Sequence, residues 1–308
     1  MSAIVTLTMN PALDIATATE RIEPSRKLRC EAPRYDPGGG GINVARAVHM
    51  LGGDALAVFP AGGASGEMIR GFLDAEGVPQ AVVPVAGITR ESLAVVEQCS
   101  GQQYRFLLPG PALGEHDQER CLDALAAAAQ GAGFVVASGS LPPGVPDDFY
   151  ARVARVAQDC DARFVLDSSG DALTHADGGI FLIKASLHEL EHLHGATLAG
   201  NAEQEGAARA VVAAGRCEVL VVSLGAAGAL LATGEGCWRF PAARVAALSS
   251  IGAGDSMLAG MLVGLVRGWP LAEATRFGVA AGAAALLRPG TELCRREDTE
   301  RLYRGLGG

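Results

Sequence analysis

Residues 249–256 read SSIGAGDS and set Asp255 and Ser256 behind Gly252, Ala253 and Gly254, just ahead of the apolar run MLAGMLVGLV. A Gly-Ala-Gly turn can aim consecutive N–H groups at one point, and a helix starting near Asp255 adds its positive dipole end. Together they would form a nest for negative charge developing on a transferring phosphoryl group. A carboxylate beside that nest can take a proton from an attacking hydroxyl. The competing reading is a plain helix cap, because Asp and Ser favour helix starts and Gly makes the approach flexible. The tetrapeptide alone leaves both open.

Other stretches carry possible chemistry. PGGGGINVARAVHMLGG (37–53) puts four glycines ahead of an amphipathic helix, with Asn43 in its first turn. Such a run lets backbone approach a ligand closely, or serves as a tight turn. No GK[ST] follows it and no clean strand precedes it, so it is neither a Walker A loop nor a dinucleotide fingerprint. Lys27, Arg90 and Arg105 are basic residues in an acidic chain, suited to a phosphorylated ligand or merely solvated. Asp14 follows the first strand, where ligand-binding groups of α/β sheets gather, and a carboxylate there can accept two hydroxyls. HELEH (188–192) matches the zinc-hydrolase pattern, with Glu189 as the base, but no third ligand accompanies it.

The composition narrows the class. The 308 residues are 49% hydrophobic and 19% charged, with 41 glycines, as expected of a folded chain with many tight turns. A net charge of −9 argues against a nucleic-acid or anionic-membrane partner. Seven cysteines without a CxxC pair fit a reducing cytoplasm better than a disulfide framework. The N-terminus lacks the basic flank and long apolar core of a signal peptide, and no apolar stretch reaches the roughly 20 residues of a membrane span.

These residues need a scaffold. AIVTLT (3–8), ALAVFP (55–60), GFVVASGS (133–140), RFVLDSS (163–169), IFLIKAS (180–186) and EVLVVSLG (218–225) read as buried strands. Helical patterns lie near 42–51, 66–76, 116–130, 147–160, 202–215, 255–267, 272–287 and from 297. The alternation predicts a mainly parallel sheet covered by helices on both faces. Residues 15–36 and 88–108, including KLRCEAPRYD and QYRFLLP, alternate polar and apolar residues and predict a small β-sheet lid. The whole chain, 1–308, reads as one domain carrying that lid.

In order along nearly the whole chain, TLTMNPALD, KLRC, GGGGINVAR, FPAGG, QYRF, SGSLPPGV, DSSG, VVSLG, GAGDS and FGVAAG resemble the ribokinase-like (PfkB) sugar kinases. The pairing of KLRC with an all-glycine loop is similar to the branch that phosphorylates fructose 6-phosphate at the C1 hydroxyl. Branches acting on tagatose 6-phosphate or fructose 1-phosphate commonly carry a Lys in that loop. The resemblance implies a three-layer α/β/α fold with a β lid, ATP and Mg²⁺ as cofactors, and a homodimer packed through the lid. It implies Asp255 as the base, with Gly252, Ala253 and Gly254 as the anion hole. Asp14, Gly39, Gly40 and Asn43 would hold the sugar, and Lys27, Arg90, Arg105 and Ser140 its phosphate. Lys184, Ser186, Ser223, Gly225, Gly228, Val279 and Ala283 would hold ATP. Glu189 would hold Mg²⁺ through water, and a monovalent cation such as K⁺ would sit by Ser249, Ile251, Arg288 and Gly290. The chain departs from the family in carrying Ser186 where Asn is usual and Ser249-Ser250 where Asp-Thr is usual.

Overall fold

Strand side chains alternate between two helix layers, and that alternation organises the molecule. The structure, a computed structural model, describes residues 2–176 and 178–306. It opens with β1 (Ile4–Leu7), β2 (Ala12–Thr19), β3 (Arg34–Gly38), α1 (Gly40–Met50), β4 (Ala55–Ala61) and α2 (Gly63–Glu76). Then come β5 (Gln80–Pro84), β6 (Arg90–Glu97), β7 (Gln103–Leu107), α3 (Glu115–Ala128), β8 (Phe134–Ser138) and α4 (Phe149–Asp159). The middle holds β9 (Arg163–Asp167), α5 (Asp171–Thr174), β10 (Ile180–Ser186), α6 (Leu187–His194), α7 (Asn201–Ala213) and β11 (Val219–Ser223). The chain ends with β12 (Ala229–Thr233), β13 (Gly236–Phe240), α8 (Ala253–Val266), α9 (Leu271–Leu286) and α10 (Arg296–Gly305).

The main sheet runs β13-β12-β11-β10-β9-β8-β1-β4-β5. From β11 to β5 every neighbouring pair is parallel; β12 and β13 close one edge as an antiparallel hairpin. Val135 and Ala137 of β8 join the core shared with α3, α4 and α7, while Phe134 and Val136 join the core shared with α1, α2, α8 and α9. This is the three-layer α/β/α arrangement that the strand pattern predicts. Among the described residues no helix is long and apolar enough to cross a membrane.

The second sheet, β3-β2-β6-β7, is the lid. β2 pairs antiparallel with β3 and parallel with β6, which sets Asp14 between Asp36 and Ser92. The lid differs from expectation in two ways. Its first strand starts at Ala12 rather than near 15, and residues 27–33, which hold KLRC, form no strand. That segment is held to β2 by one main-chain bond, Glu31 N to Ala18 O at 2.9 Å, and by the Thr17 and Thr19 hydroxyls donating to Glu31 O and Arg29 O, rather than by a continuous ladder.

Two features fix the helix layer that carries the Gly loop. Arg46 is 2% exposed, pairs with both carboxylate oxygens of Glu76 at 2.7 and 2.6 Å, and donates to Pro37 O at 2.9 Å. One buried guanidinium thereby joins α1, α2 and the end of β3. Helices α8 and α9 meet backbone to backbone at Gly278, where a Cβ would lie 2.7 Å from Met257 O and 2.5 Å from Met261 Cγ.

Gly278→Ala should therefore push α9 off α8 and cost roughly 1–3 kcal/mol, outweighing the gain in helix propensity. Denaturant unfolding of the variant checks this; unchanged stability would mean that the two helices are not in close contact.

Candidate active site

The strand order changes direction at β1, whose neighbours β4 and β8 lie in opposite senses along the chain. Ligand sites of open α/β sheets form outside the carboxyl ends of strands at such a switch. Here those ends deliver Thr8, Ser138, Asp167 and Lys184, and the helix starts of α1 and α8 face them. A polar cavity of about 340 Å³ lies between them and the lid.

The Gly loop enters α1 through Gly39, whose φ of 108° is in the region open to glycine. A Cβ there would sit 2.7 Å from Thr8 Cγ2. Thr8 Oγ1 accepts from Ile42 N at 2.8 Å, clamping the start of α1 onto the end of β1. That places Asn43 so that its Nδ2 donates to Asp255 Oδ2 at 2.9 Å.

Helix α8 starts at Ala253, two residues earlier than the apolar run suggests, because Gly252 turns the chain at φ 73° and is itself the N-cap. Asp255 therefore lies in the first turn and does not cap the helix. Burial raises its pKa above the ordinary carboxylate value, against the opposing pull of the Asn43 hydrogen bond, Lys184 and Arg105. A buried carboxylate with a raised pKa is a better proton acceptor than a solvated one.

Lys184 Nζ donates to Asp167 Oδ1 at 3.1 Å. Burial alone would lower the Lys184 pKa, but Asp167, Asp255 and Glu189 together raise it and keep the ammonium charged. The same ammonium lies 2.8 Å from where a Cβ on Gly254 would be, so a larger residue at 254 would have to displace the Lys184 ammonium. Burial pushes Asp167 upward, with Lys184 opposing.

On the lid side, Asp14 is raised to about 6 by burial, opposed by Arg105 and Arg90 and assisted by Asp36. Gly38 packs directly on the Asp14 carboxylate. Gly39, Gly40, Asn43, Arg90, Arg105 and Ser140 all line the polar cavity with Asp14, Gly252, Gly254 and Asp255. Lys27 is exposed and lines neither this cavity nor its neighbour, so within one chain it is not part of the predicted basic set. Asp167, Ser138 and Ser168 line the cavity and were not singled out from the sequence.

An adjoining cavity of about 560 Å³ is mainly apolar and is lined by Ser223, Gly225, Gly228, Val279, Ala283 and the loop 242–247. The two cavities share Ser250 and Gly254, beside Asp255. Ser186 lines neither; instead its hydroxyl accepts from Glu189 N at 3.2 Å, while Glu189 accepts from Ser186 N at 2.6 Å. That reciprocal capping box starts α6, so Ser186 caps the helix and does not line the adjoining cavity. Glu189 itself faces the polar cavity, and the His188 side chain is 92% exposed, so HELEH does not form the two-histidine face of a zinc site. Ser249 Oγ donates to Gly290 O at 2.7 Å and accepts from Ile251 N at 3.2 Å, bringing those three predicted positions together; Arg288 is engaged by Asp298.

The model of the pfkB family carbohydrate kinases matches residues 4–298. The chain is 53% identical over 300 residues to the ATP-dependent 6-phosphofructokinase isozyme 2 of Mycobacterium tuberculosis, covering 97% of this chain and 88% of that protein. It superposes with a TM-score of 0.94 on the phosphofructokinase-2 from Escherichia coli in complex with substrates and products, at 44% identity over 99% of both chains. A structure of that enzyme in complex with potassium matches with the same TM-score, at 43% identity over 100% of both chains.

The Asp14 geometry has a consequence for stability. Its folded pKa of about 6 lies above the ordinary 3.8, so ionising it costs stability as pH rises from about 4 to about 6. At pH 7 the cost is roughly 2–3 kcal/mol. Asp14→Asn should thus melt several degrees higher than the parent at pH 7, with the gain vanishing near pH 4. A lower melting temperature at pH 7 would show that burial does not outweigh the pull of Arg105 and Arg90 on the carboxylate.

Proposed function

The chain belongs to the pfkB family of carbohydrate kinases, and from that premise we propose that it is an ATP-dependent 6-phosphofructokinase. It moves the γ-phosphoryl group of ATP to the C1 hydroxyl of fructose 6-phosphate. The observation that carries this reading is the junction of the two cavities. A polar one suited to a sugar phosphate and an apolar one suited to a nucleotide meet at Ser250 and Gly254, next to Asp255.

In this reading Asp14, Gly39, Gly40 and Asn43 bind the sugar hydroxyls. Arg90, Arg105 and Ser140 bind the 6-phosphate, which is consistent with their shared cavity. The apolar cavity takes the adenine between Val279, Ala283 and the turn from Ser223 to Gly228. Its triphosphate then runs toward Gly254, where the Lys184 ammonium neutralises charge and the N–H groups of Gly252 to Gly254 receive the migrating phosphoryl group. Asp255 takes the proton of the C1 hydroxyl as the new O–P bond forms and ADP leaves. Asn43 keeps the carboxylate turned toward that hydroxyl.

Glu189 is an oxygen donor facing the cavity, the ligand type that Mg²⁺ prefers. Held there through water, the ion would shield the phosphate charge of ATP. A monovalent cation is proposed at the loop containing Ser249, Ile251 and Gly290, where main-chain carbonyls would supply its oxygen ligands. Exposed Tyr35, Phe106, Leu107 and Leu108 on the lid favour pairing with a second copy.

The test is an ADP-release assay over fructose 6-phosphate, tagatose 6-phosphate, fructose 1-phosphate and free fructose. Fructose 6-phosphate should give the highest kcat/KM, and preference for another acceptor would overturn the assignment. The same assay in potassium and sodium salts tests the cation site, which predicts faster turnover in potassium. Sedimentation with Phe106→Asp tests the pairing, which should be lost. Asp255→Asn should stay folded and lose about 10²–10⁴ in turnover; near-normal turnover would remove Asp255 from the mechanism.

A further inference from the structure

Asn10 lies between β1 and β2 in TLTMNPALD, and its side chain is nine-tenths buried. Its main-chain carbonyl accepts from Arg90 Nη2 at 3.1 Å and from Nε at 3.3 Å. Its side-chain Nδ2 donates to Ser140 Oγ at 3.2 Å. One residue thus holds two of the groups that face the sugar-phosphate end of the polar cavity. These groups reach the cavity from distant parts of the chain, the lid and the loop after β8.

The hydrogen inventory shows what this arrangement does. Arg90 Nη1 also donates to Leu108 O at 3.3 Å, so main-chain oxygens take three of its five N–H groups. Among the described residues it makes no ion pair, which leaves its charge and two N–H groups for a ligand. Ser140 Oγ accepts from Asn10, so its single hydrogen is free to donate to an anion. Asn10 Oδ1 is buried without a partner and packs directly against Gly110, where any Cβ would overlap it. Turning the amide over would bury two N–H groups there instead, which is the costlier arrangement.

We propose that Asn10 is the positioning residue of the phosphate grip. It fixes Arg90 through its carbonyl and the direction of the Ser140 hydroxyl through its amide, so that both donate to one phosphate. This rests on the 6-phosphofructokinase reading and adds a residue that touches no substrate. Because the grip acts on the phosphate alone, Asn10 governs KM for the sugar phosphate and leaves the phosphoryl-transfer step unchanged.

Steady-state kinetics of Asn10→Ala, Asn10→Asp, Ser140→Ala and the Asn10→Ala/Ser140→Ala pair test this. Asn10→Ala should raise KM for fructose 6-phosphate roughly tenfold, while kcat and KM for ATP stay within about twofold. In the Ser140→Ala background the same change should add little, since the hydroxyl it directs is gone. Asn10→Asp keeps the shape but accepts the Ser140 hydrogen and adds a negative charge, so it should be worse than Asn10→Ala. A purely space-filling role predicts the reverse order, with Asn10→Asp close to the parent. That order, full additivity with Ser140→Ala, or kcat and KM for ATP moving together with KM for the sugar would each overturn the proposal. A parent enzyme inactive on every phosphorylated sugar would instead overturn the functional reading, so the two failures are distinguishable.

Discussion

The hydrogen bond from Asn43 to Asp255 joins two helix starts that lie 212 residues apart in the chain. It is possible only because the Gly loop lets α1 begin against β1 and because Gly252 starts α8 two residues early. Everything else at the site is arranged around that contact. In the proposed reaction the sugar hydroxyls would approach from the α1 side and the phosphates from the α8 side. The carboxylate is buried where the two helix dipoles both point their positive ends.

Burying that carboxylate calls for balancing charge, and Lys184 supplies it without hydrogen-bonding to Asp255. Its ammonium is hydrogen-bonded to Asp167 while lying against Gly254, so Asp255 feels the positive charge but is hydrogen-bonded by Asn43. Had Lys184 paired with Asp255 directly, the carboxylate would be a poorer proton acceptor. The lid is tied to the same region. Asp36 of β3 receives Arg34 and Thr291, and Arg34 also pairs with Glu292, so the lid strand opposite Asp14 is bonded to the loop after α9. Lid position and the proposed cation loop thus share a set of bonds.

Most of the frame could be read from the sequence, because Val- and Ile-rich strands alternating with amphipathic helices have few other solutions. The strands missed are short or Ala-rich: QAVVP of β5, ALLAT of β12 and GCWRF of β13. Their stability comes from neighbours in the sheet, which no local pattern records. Asp167 escaped for a related reason. RFVLDSS shows a strand ending in a carboxylate, but only the order β8-β9-β10 brings it to Lys184. Ser186 and Lys27 were assigned by motif position, whereas a capping box claims the first and an irregular exposed loop carries the second. Asn10 stands in a motif, yet the role proposed for it rests on three long-range hydrogen bonds to two residues, Arg90 and Ser140, which no local pattern records.

As the proposed base, Asp255 depends on Asn43, whose hydrogen bond stabilises its ionised form. The most direct measurement is the pH dependence of kcat at saturating sugar for the parent and Asn43→Ala. Removing the donated hydrogen bond removes a contribution that lowers the Asp255 pKa, so the acid limb of the profile should shift to higher pH. Turnover near neutral pH would fall less than turnover at pH 5. An acid limb that stays in place, or moves to lower pH, would contradict the account.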